Sequence, residues 1–210
     1  MSLVIPVAHD PTCPWCWIGL SQVRRLRQEF GVEFDWLGYE LFPEDLEWQD
    51  YAPAEPLPPN KPPTPSRFEL ALAAEGIKLP AAKRPYRMRI HHALQSIEYM
   101  KDQQAPVQAW VEAVYEAYWM RGEAVGEIEV LRRLAEQGGF PHDGMEEALE
   151  SRQFSNRIVK FDDDAYAAGV YNVPTFFIGQ RRYAEQPFVV LRRAVAGVLG
   201  VRPLATSTGI

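Results

Sequence analysis

The feature that most constrains this chain is a pair of cysteines three residues apart, in Asp10-Pro11-Thr12-Cys13-Pro14-Trp15-Cys16. Ahead of it runs Leu3-Val4-Ile5-Pro6-Val7-Ala8, apolar and β-branched, the pattern of a buried strand. Behind it come Trp17, Leu20, Val23, Leu26 and Phe30 at helical spacing, and Gly31 as a stop. The pair therefore sits where a strand's loop becomes a helix, with Pro14 at a natural first-turn position. Val32-Glu33-Phe34-Asp35-Trp36 then alternates and stays apolar to Tyr39, a second strand. A crossover of that length predicts parallel pairing.

That placement points to chemistry at sulfur. The amides and positive dipole end of the helix face Cys13 and favour a thiolate; such cysteines have pKa values lowered to roughly 3.5–7.5. Cys16 lies one turn on, about 5–6 Å away, a distance that suits a disulfide. Its amide is a further donor to the Cys13 thiolate. The expectation is an exposed attacker at Cys13 and a shielded resolver at Cys16, exchanging disulfides. Two cysteines in 210 residues make no structural disulfide framework. Two other readings remain open. The pair could be half of a zinc site, although His9, His91, His92 and His142 show no zinc-binding spacing, or it could be an inert buried pair.

Eight prolines fall between Pro43 and Pro65, so 43–65 reads as an extended linker or loop. Ser66-Arg67-Phe68-Glu69 resembles a capping box, and helical patterns dominate residues 66–169. The clearest starts near Pro106 and carries Val107, Trp110, Val111, Val114, Tyr118 and Trp119 on one face. Another carries Ile128, Leu131, Leu134 and Ala135 to Gly138-Gly139; Asp143 with Glu146 opens a short one; Ile158, Phe161 and Ala165 mark a last helix ending near Gly169. Pro174-Thr175-Phe176-Phe177-Ile178 and Arg181-Arg182-Tyr183 read as strands around a Gly179-Gln180 turn. Pro187 opens a final helix, and 203–210 reads as a disordered tail. The order is that of a thioredoxin-like α/β domain, 1–42 and 170–202, split by an inserted all-helical domain.

The chain is 47 % hydrophobic with a formal charge of −6, which disfavours a nucleic-acid partner. No apolar run approaches the roughly 20 residues of a membrane span. The start lacks the pattern of a secretory signal, so the expected location is cytoplasmic.

Asp10-x-x-Cys13-Pro14-Trp15-Cys16-Trp17-Ile18-Gly19 resembles the active-site segment of DsbA-like oxidoreductases, the FrnE-type subgroup in particular. Three more segments are similar: Glu40-Leu41-Phe42-Pro43, Gly122-Glu123-x-x-Gly126-Glu127-x-x-Val130-Leu131, and Gly169-Val170-x-x-Val173-Pro174-Thr175-Phe176. The resemblance implies a thioredoxin fold with a helical insertion and a cis-proline loop at Val173-Pro174 facing the cysteines. It implies a catalytic pair Cys13 and Cys16, with Pro14, Trp15, Val173 and Pro174 contacting protein or peptide thiols and disulfides. It implies no tightly bound cofactor, glutathione as a redox partner, and either a monomer or a homodimer. Kappa-class glutathione transferases and 2-hydroxychromene-2-carboxylate isomerases share the lineage but place a serine where Cys13 stands; a glutathione-dependent transferase or isomerase is the alternative reading.

Several polar residues lie near the motif in sequence or by that resemblance. Asp10 could assist Cys16, but a loop or capping role is the commoner one, and Glu40 could line the cleft. His91 and His92 fall on a helix that by the resemblance faces the site, where a surface or interface histidine is the commoner case. None of the four is counted with the catalytic pair. Trp15 is expected exposed, as a docking surface for apolar substrate.

Overall fold

The computed structural model describes residues 2–48, 64–85 and 87–202. The expected strand-helix-strand start is present as β1 (Val4–His9), α1 (Pro14–Phe30) and β2 (Glu33–Glu40). β1 and β2 pair in parallel, from Val4 opposite Glu33 to His9 opposite Gly38. Pro6 is tolerated inside β1 because the strand's other neighbour meets only Val7 and Ala8, so the missing donor costs no bond there. Gly31 ends α1 in the left-handed region, φ 64°, a conformation that glycine adopts without a Cβ penalty.

Five helices follow: α2 (Arg67–Glu75), α3 (His91–Asp102), α4 (Val107–Arg121), α5 (Ile128–Gly138) and α6 (Met145–Glu150). The capping box at Ser66 and Glu69 is formed in both directions. On α4 the expected apolar face is buried at Trp110, Val111, Val114, Tyr115, Tyr118 and Trp119, while Val107 in the first turn is only partly buried. Most of the Pro-rich segment (49–63) and the tail at 203–210 lie outside the described residues.

The last helix expected over Ile158, Phe161 and Ala165 is not one element. A 3-10 turn at Ser155–Arg157 leads into β3 (Val159–Lys160), which pairs in parallel with β2 at Tyr39 and Glu40. Only then does α7 (Asp163–Ala167) begin, because the Asp162 carboxylate accepts the Asp164 amide and caps the helix there. A two-residue strand is too short to show alternation, and its apolar neighbours fell by chance at helical spacing. The stretch read as all-helical thus contributes an edge strand to the sheet.

The chain closes with β4 (Thr175–Ile178), β5 (Arg181–Ala184) and α8 (Phe188–Leu199). Strand order is β3-β2-β1-β4-β5, with β4 antiparallel to both β1 and β5. α1 packs on α8, and α3 packs on β2. One continuous apolar core runs from Ile5, Val7 and Phe176 in the sheet to Trp110, Leu131 and Leu149 in the helical block. Burying each such side chain contributes about 1.5–3 kcal/mol. The two lobes are therefore held as one body. Among the described residues, no helix is long and apolar enough to cross a membrane.

Candidate active site

The carboxyl ends of β1 and β2 set the site. β1 delivers His9 and Asp10, the chain turns, and Cys13 becomes the N-cap residue of α1 in an extended conformation (φ −69°, ψ 124°). Asp10 builds that turn. Its Oδ1 accepts the Thr12 amide at 2.7 Å and the Thr12 hydroxyl at 2.6 Å, and its Oδ2 accepts the Leu41 amide at 3.1 Å. Its carbonyl accepts the Cys13 amide at 3.1 Å. With both carboxylate oxygens engaged, Asp10 is a loop fixture that ties β1 to the end of β2. Full burial raises its pKa above the usual carboxylate value. From the helical block, Trp119 Nε1 donates to the Pro11 carbonyl at 2.8 Å and pins the same loop.

Cys13 and Cys16 are both free thiols. Cys16 is 1 % exposed and Cys13 only 7 %, so Cys13 is less open than the sequence suggested. The order of accessibility nevertheless matches. The Cys13 thiol donates to the Val173 carbonyl oxygen at 3.5 Å, which brings the cis Val173-Pro174 loop directly onto the sulfur. The Cys16 amide, expected as a donor to that sulfur, donates instead to the Cys13 carbonyl at 3.0 Å. Because Pro14 has no N–H, the Trp15 amide is the first-turn donor without an intrahelical acceptor. Burial, then the hydrogen bond and charge of Cys13, push the Cys16 thiol well above its ordinary pKa. At neutral pH Cys16 is a protonated, shielded thiol.

Gly19 explains how the loop comes so close. A Cβ there would lie 2.9 Å from Pro174 Cγ and 3.1 Å from Pro174 Cβ, so only glycine lets this face of α1 meet the proline. Behind the thiols lies a buried polar group. The Tyr115 hydroxyl is 3.0 Å from His9 Nδ1 and 3.4 Å from the Asp10 carbonyl, and it faces the Cys16 sulfur. His9 is fully buried, packed edge-on to Trp36, and desolvation lowers its pKa to about 3. It is a neutral ring. Burial likewise pushes the Tyr115 hydroxyl well above its ordinary pKa.

Trp15 is half-buried rather than exposed, because α2 covers it. The Arg67 guanidinium lies 4.6 Å over its ring, and the Phe68 ring meets it edge-on at 5.2 Å. Between α2 and the thiol loop opens a groove of about 380 Å³, lined by Trp15, Ile18, Leu70, Ala71, Pro174 and Pro187 among others. The walls are apolar, with Arg67, Gln22 and Glu75 at intervals. α2 buries no residue of its own fully. It is fastened through Glu75, whose Oε1 accepts Gln22 Nε2 at 3.1 Å and the Phe188 amide at 2.6 Å and whose Oε2 pairs with Arg25 at 2.7 Å.

The other sequence candidates gather elsewhere. Glu40 and His91 meet each other at 2.9 Å, and His92 Nδ1 lies 3.1 Å from the Gly126 carbonyl. All three line a separate cavity of about 750 Å³ that includes neither cysteine. Among the described residues, no cluster of three or more His, Cys, Asp or Glu has the arrangement to hold a metal ion. The sequence pattern missed Tyr115 and Glu75. Tyr115 reads as one more aromatic on an apolar helix face, and Glu75 as a solvated charge; only tertiary packing sets them at the site.

Comparison with known proteins places this geometry in context. Residues 5–196 match the DSBA-like thioredoxin domain family. The protein YwbO of Bacillus subtilis, itself uncharacterised, is 25 % identical over 188 residues, 85 % of this chain and 88 % of that one. The crystal structure of a probable DsbA oxidoreductase from Streptomyces coelicolor superposes with a TM-score of 0.68 at 20 % identity, over 95 % of this chain and 91 % of the other. The cytosolic disulfide reductase DsbM from Pseudomonas aeruginosa, in its structure with GSH, gives a TM-score of 0.58 at 14 % identity, over 86 % and 88 %.

Proposed function

We propose that this chain, which belongs to the DSBA-like thioredoxin domain family, catalyses dithiol–disulfide exchange through Cys13 and Cys16. The observation that carries the reading is the pairing of two free thiols at the start of α1 with the Val173 carbonyl turned onto the outer sulfur. The Cys13 thiolate attacks one sulfur of a substrate disulfide. That S–S bond breaks, the second substrate sulfur leaves and takes a proton, and a mixed disulfide remains on Cys13. Cys16 then loses its proton and attacks the Cys13 sulfur. The substrate leaves as its second thiol, and a Cys13–Cys16 disulfide is formed. Two molecules of glutathione restore the dithiol and become glutathione disulfide.

The raised Cys16 pKa supports this division of labour: a protonated second thiol does not compete for substrate, and it becomes a nucleophile only when the mixed disulfide is beside it. The groove beside Trp15 and Pro174 suits an apolar side chain next to the scissile disulfide, while the Val173 backbone pairs with an extended peptide. Both sulfurs are present, which supports exchange over a glutathione-dependent transferase or isomerase, whose chemistry needs no second thiol. A glutathione-poised cytoplasm would turn the cycle toward reduction.

The test is reduction of insulin disulfides with glutathione as the electron source, for wild type and Cys13→Ser. The wild type turns over, and the variant falls to the uncatalysed rate. Equal rates for the two proteins would refute the assignment.

A further inference from the structure

Cys16 is the buried sulfur that must become an anion, and most of what surrounds it opposes that. Its amide is spent on the Cys13 carbonyl. Burial, then Cys13, and less strongly the charge of Asp10 disfavour its thiolate. Among the described residues, the donors that face the sulfur are the Cys13 thiol, the Asp10 backbone amide and the Tyr115 hydroxyl. Once the mixed disulfide has formed, Cys13 has no S–H to give. Of that set, Tyr115 is then the side chain left with a proton to offer.

The fold holds that hydroxyl in place. α4 presents Tyr115 and Trp119 one turn apart on the same face, and Trp119 is fastened to the Pro11 carbonyl at 2.8 Å. The Tyr115 ring stacks on His9 at 5.9 Å between centroids and leans on Trp36 at 6.3 Å. Its Oη lies 3.0 Å from His9 Nδ1 and 3.4 Å from the Asp10 carbonyl. His9 Nε2 has no hydrogen-bond partner among the described residues, so the ring's polar contact is with Tyr115. None of these neighbours takes the proton away. His9, with its pKa at about 3, stays neutral, and both Asp10 carboxylate oxygens are engaged by Thr12 and Leu41. Burial keeps the Tyr115 hydroxyl itself protonated. A hydroxyl proton rotates to suit its acceptors, and a charged acceptor makes a hydrogen bond about twice as strong as a neutral one. The Tyr115 proton therefore turns to the sulfur as charge appears there.

We propose that the Tyr115 hydroxyl donates a hydrogen bond to the Cys16 thiolate and so sets the rate of the second half of exchange. The assignment rests on the exchange reading given above. The Cys16 thiolate attacks the Cys13 sulfur, the bond from Cys13 to the substrate sulfur breaks, and the Cys13–Cys16 disulfide forms. The proton that leaves Cys16 ends on the departing substrate sulfur, and Tyr115 keeps its own. A phenol, unlike a carboxylate, brings no negative charge of its own to the buried sulfur.

The test is stopped-flow reaction of the reduced, full-length protein with excess dithiobis(nitrobenzoate). One coloured thionitrobenzoate is released as Cys13 attacks the reagent, and a second as Cys16 resolves the mixed disulfide. The first phase scales with reagent concentration and the second does not. Tyr115→Phe keeps the ring and removes the donor, and far-UV circular dichroism confirms that it folds. Losing a hydrogen bond to a charged group lowers the thiolate population tenfold or more, roughly, and the more basic thiolate regains about half of that, on a logarithmic scale, as nucleophilicity. The second phase therefore slows about three- to tenfold between about pH 6 and pH 9, while the first keeps its rate. Tyr115→3-fluorotyrosine, a more acidic phenol and stronger donor of nearly the same shape, speeds the second phase above wild type, which a packing role would not do. A second phase unchanged in folded Tyr115→Phe, or both phases slowed by the same factor, overturns the proposal. A wild type that releases no second thionitrobenzoate would instead sink the exchange reading on which it rests.

Discussion

His9 and Cys16 both lie against the Tyr115 hydroxyl, and burial moves their titrations in opposite directions for one reason: it disfavours the charged form of each. The imidazole falls to about 3 from 6.5, and the thiol rises. For His9 the consequence for stability has a definite sign. Between pH 6.5 and about 3 the unfolded chain binds a proton that the folded chain refuses, so folding weakens as the pH falls through that window. The effect is absent above the window and grows by up to about 1.4 kcal/mol per pH unit inside it. His9→Gln keeps an acceptor for the Tyr115 hydroxyl but removes the titration. Urea unfolding at pH 7 and pH 4.5 therefore shows the gap between wild type and variant shifting by about 2–3 kcal/mol, against wild type at the lower pH. A gap that does not move would contradict the buried, neutral ring.

At the scale of elements, α2 is the piece whose position follows least from its own packing. It exposes Leu70 at 56 % and covers Trp15 largely through Arg67 and Phe68. Cation–π contacts at such partly exposed sites are worth about 0.5–1 kcal/mol, too little to fix a nine-residue helix alone. Glu75, with 6 % of its side chain exposed, is the anchor, because it joins α2 to α1 and also accepts the first amide of α8. Glu75→Ala leaves the Phe188 amide and Gln22 without this acceptor. The expected loss is about 1–3 kcal/mol of unfolding free energy, read by urea denaturation. Proteolysis at α2 should quicken in the same variant, while an unchanged denaturation midpoint would show that α2 is held by other contacts.

Across the whole molecule, legibility tracked how local each signal was. The strand-helix-strand start, the Gly31 stop, the Ser66 capping box and the α4 stripe were readable because spacing and end residues alone specify them. β3 was not readable, since two residues become a strand only by pairing with Tyr39 and Glu40. At the site, Cys13, Cys16 and the Pro174 loop announced themselves by motif. The cover over Trp15, the Cys16 amide spent on the Cys13 carbonyl, and the arrival of Tyr115 from α4 depend on how the helical block docks. That block shares one core with the sheet, so the thiols sit between two lobes packed on each other. Such a frame keeps Cys16 dry and Cys13 at the edge.

The central claim is a division of labour between two sulfurs, and trapping reads it directly. Incubate Cys16→Ser and Cys13→Ser separately with a disulfide-bonded peptide, quench with acid, and determine the intact masses. The account predicts a covalent protein–peptide adduct on Cys13 that accumulates in Cys16→Ser and none in Cys13→Ser. An adduct on Cys16 in Cys13→Ser, formed as fast as the other, would contradict it.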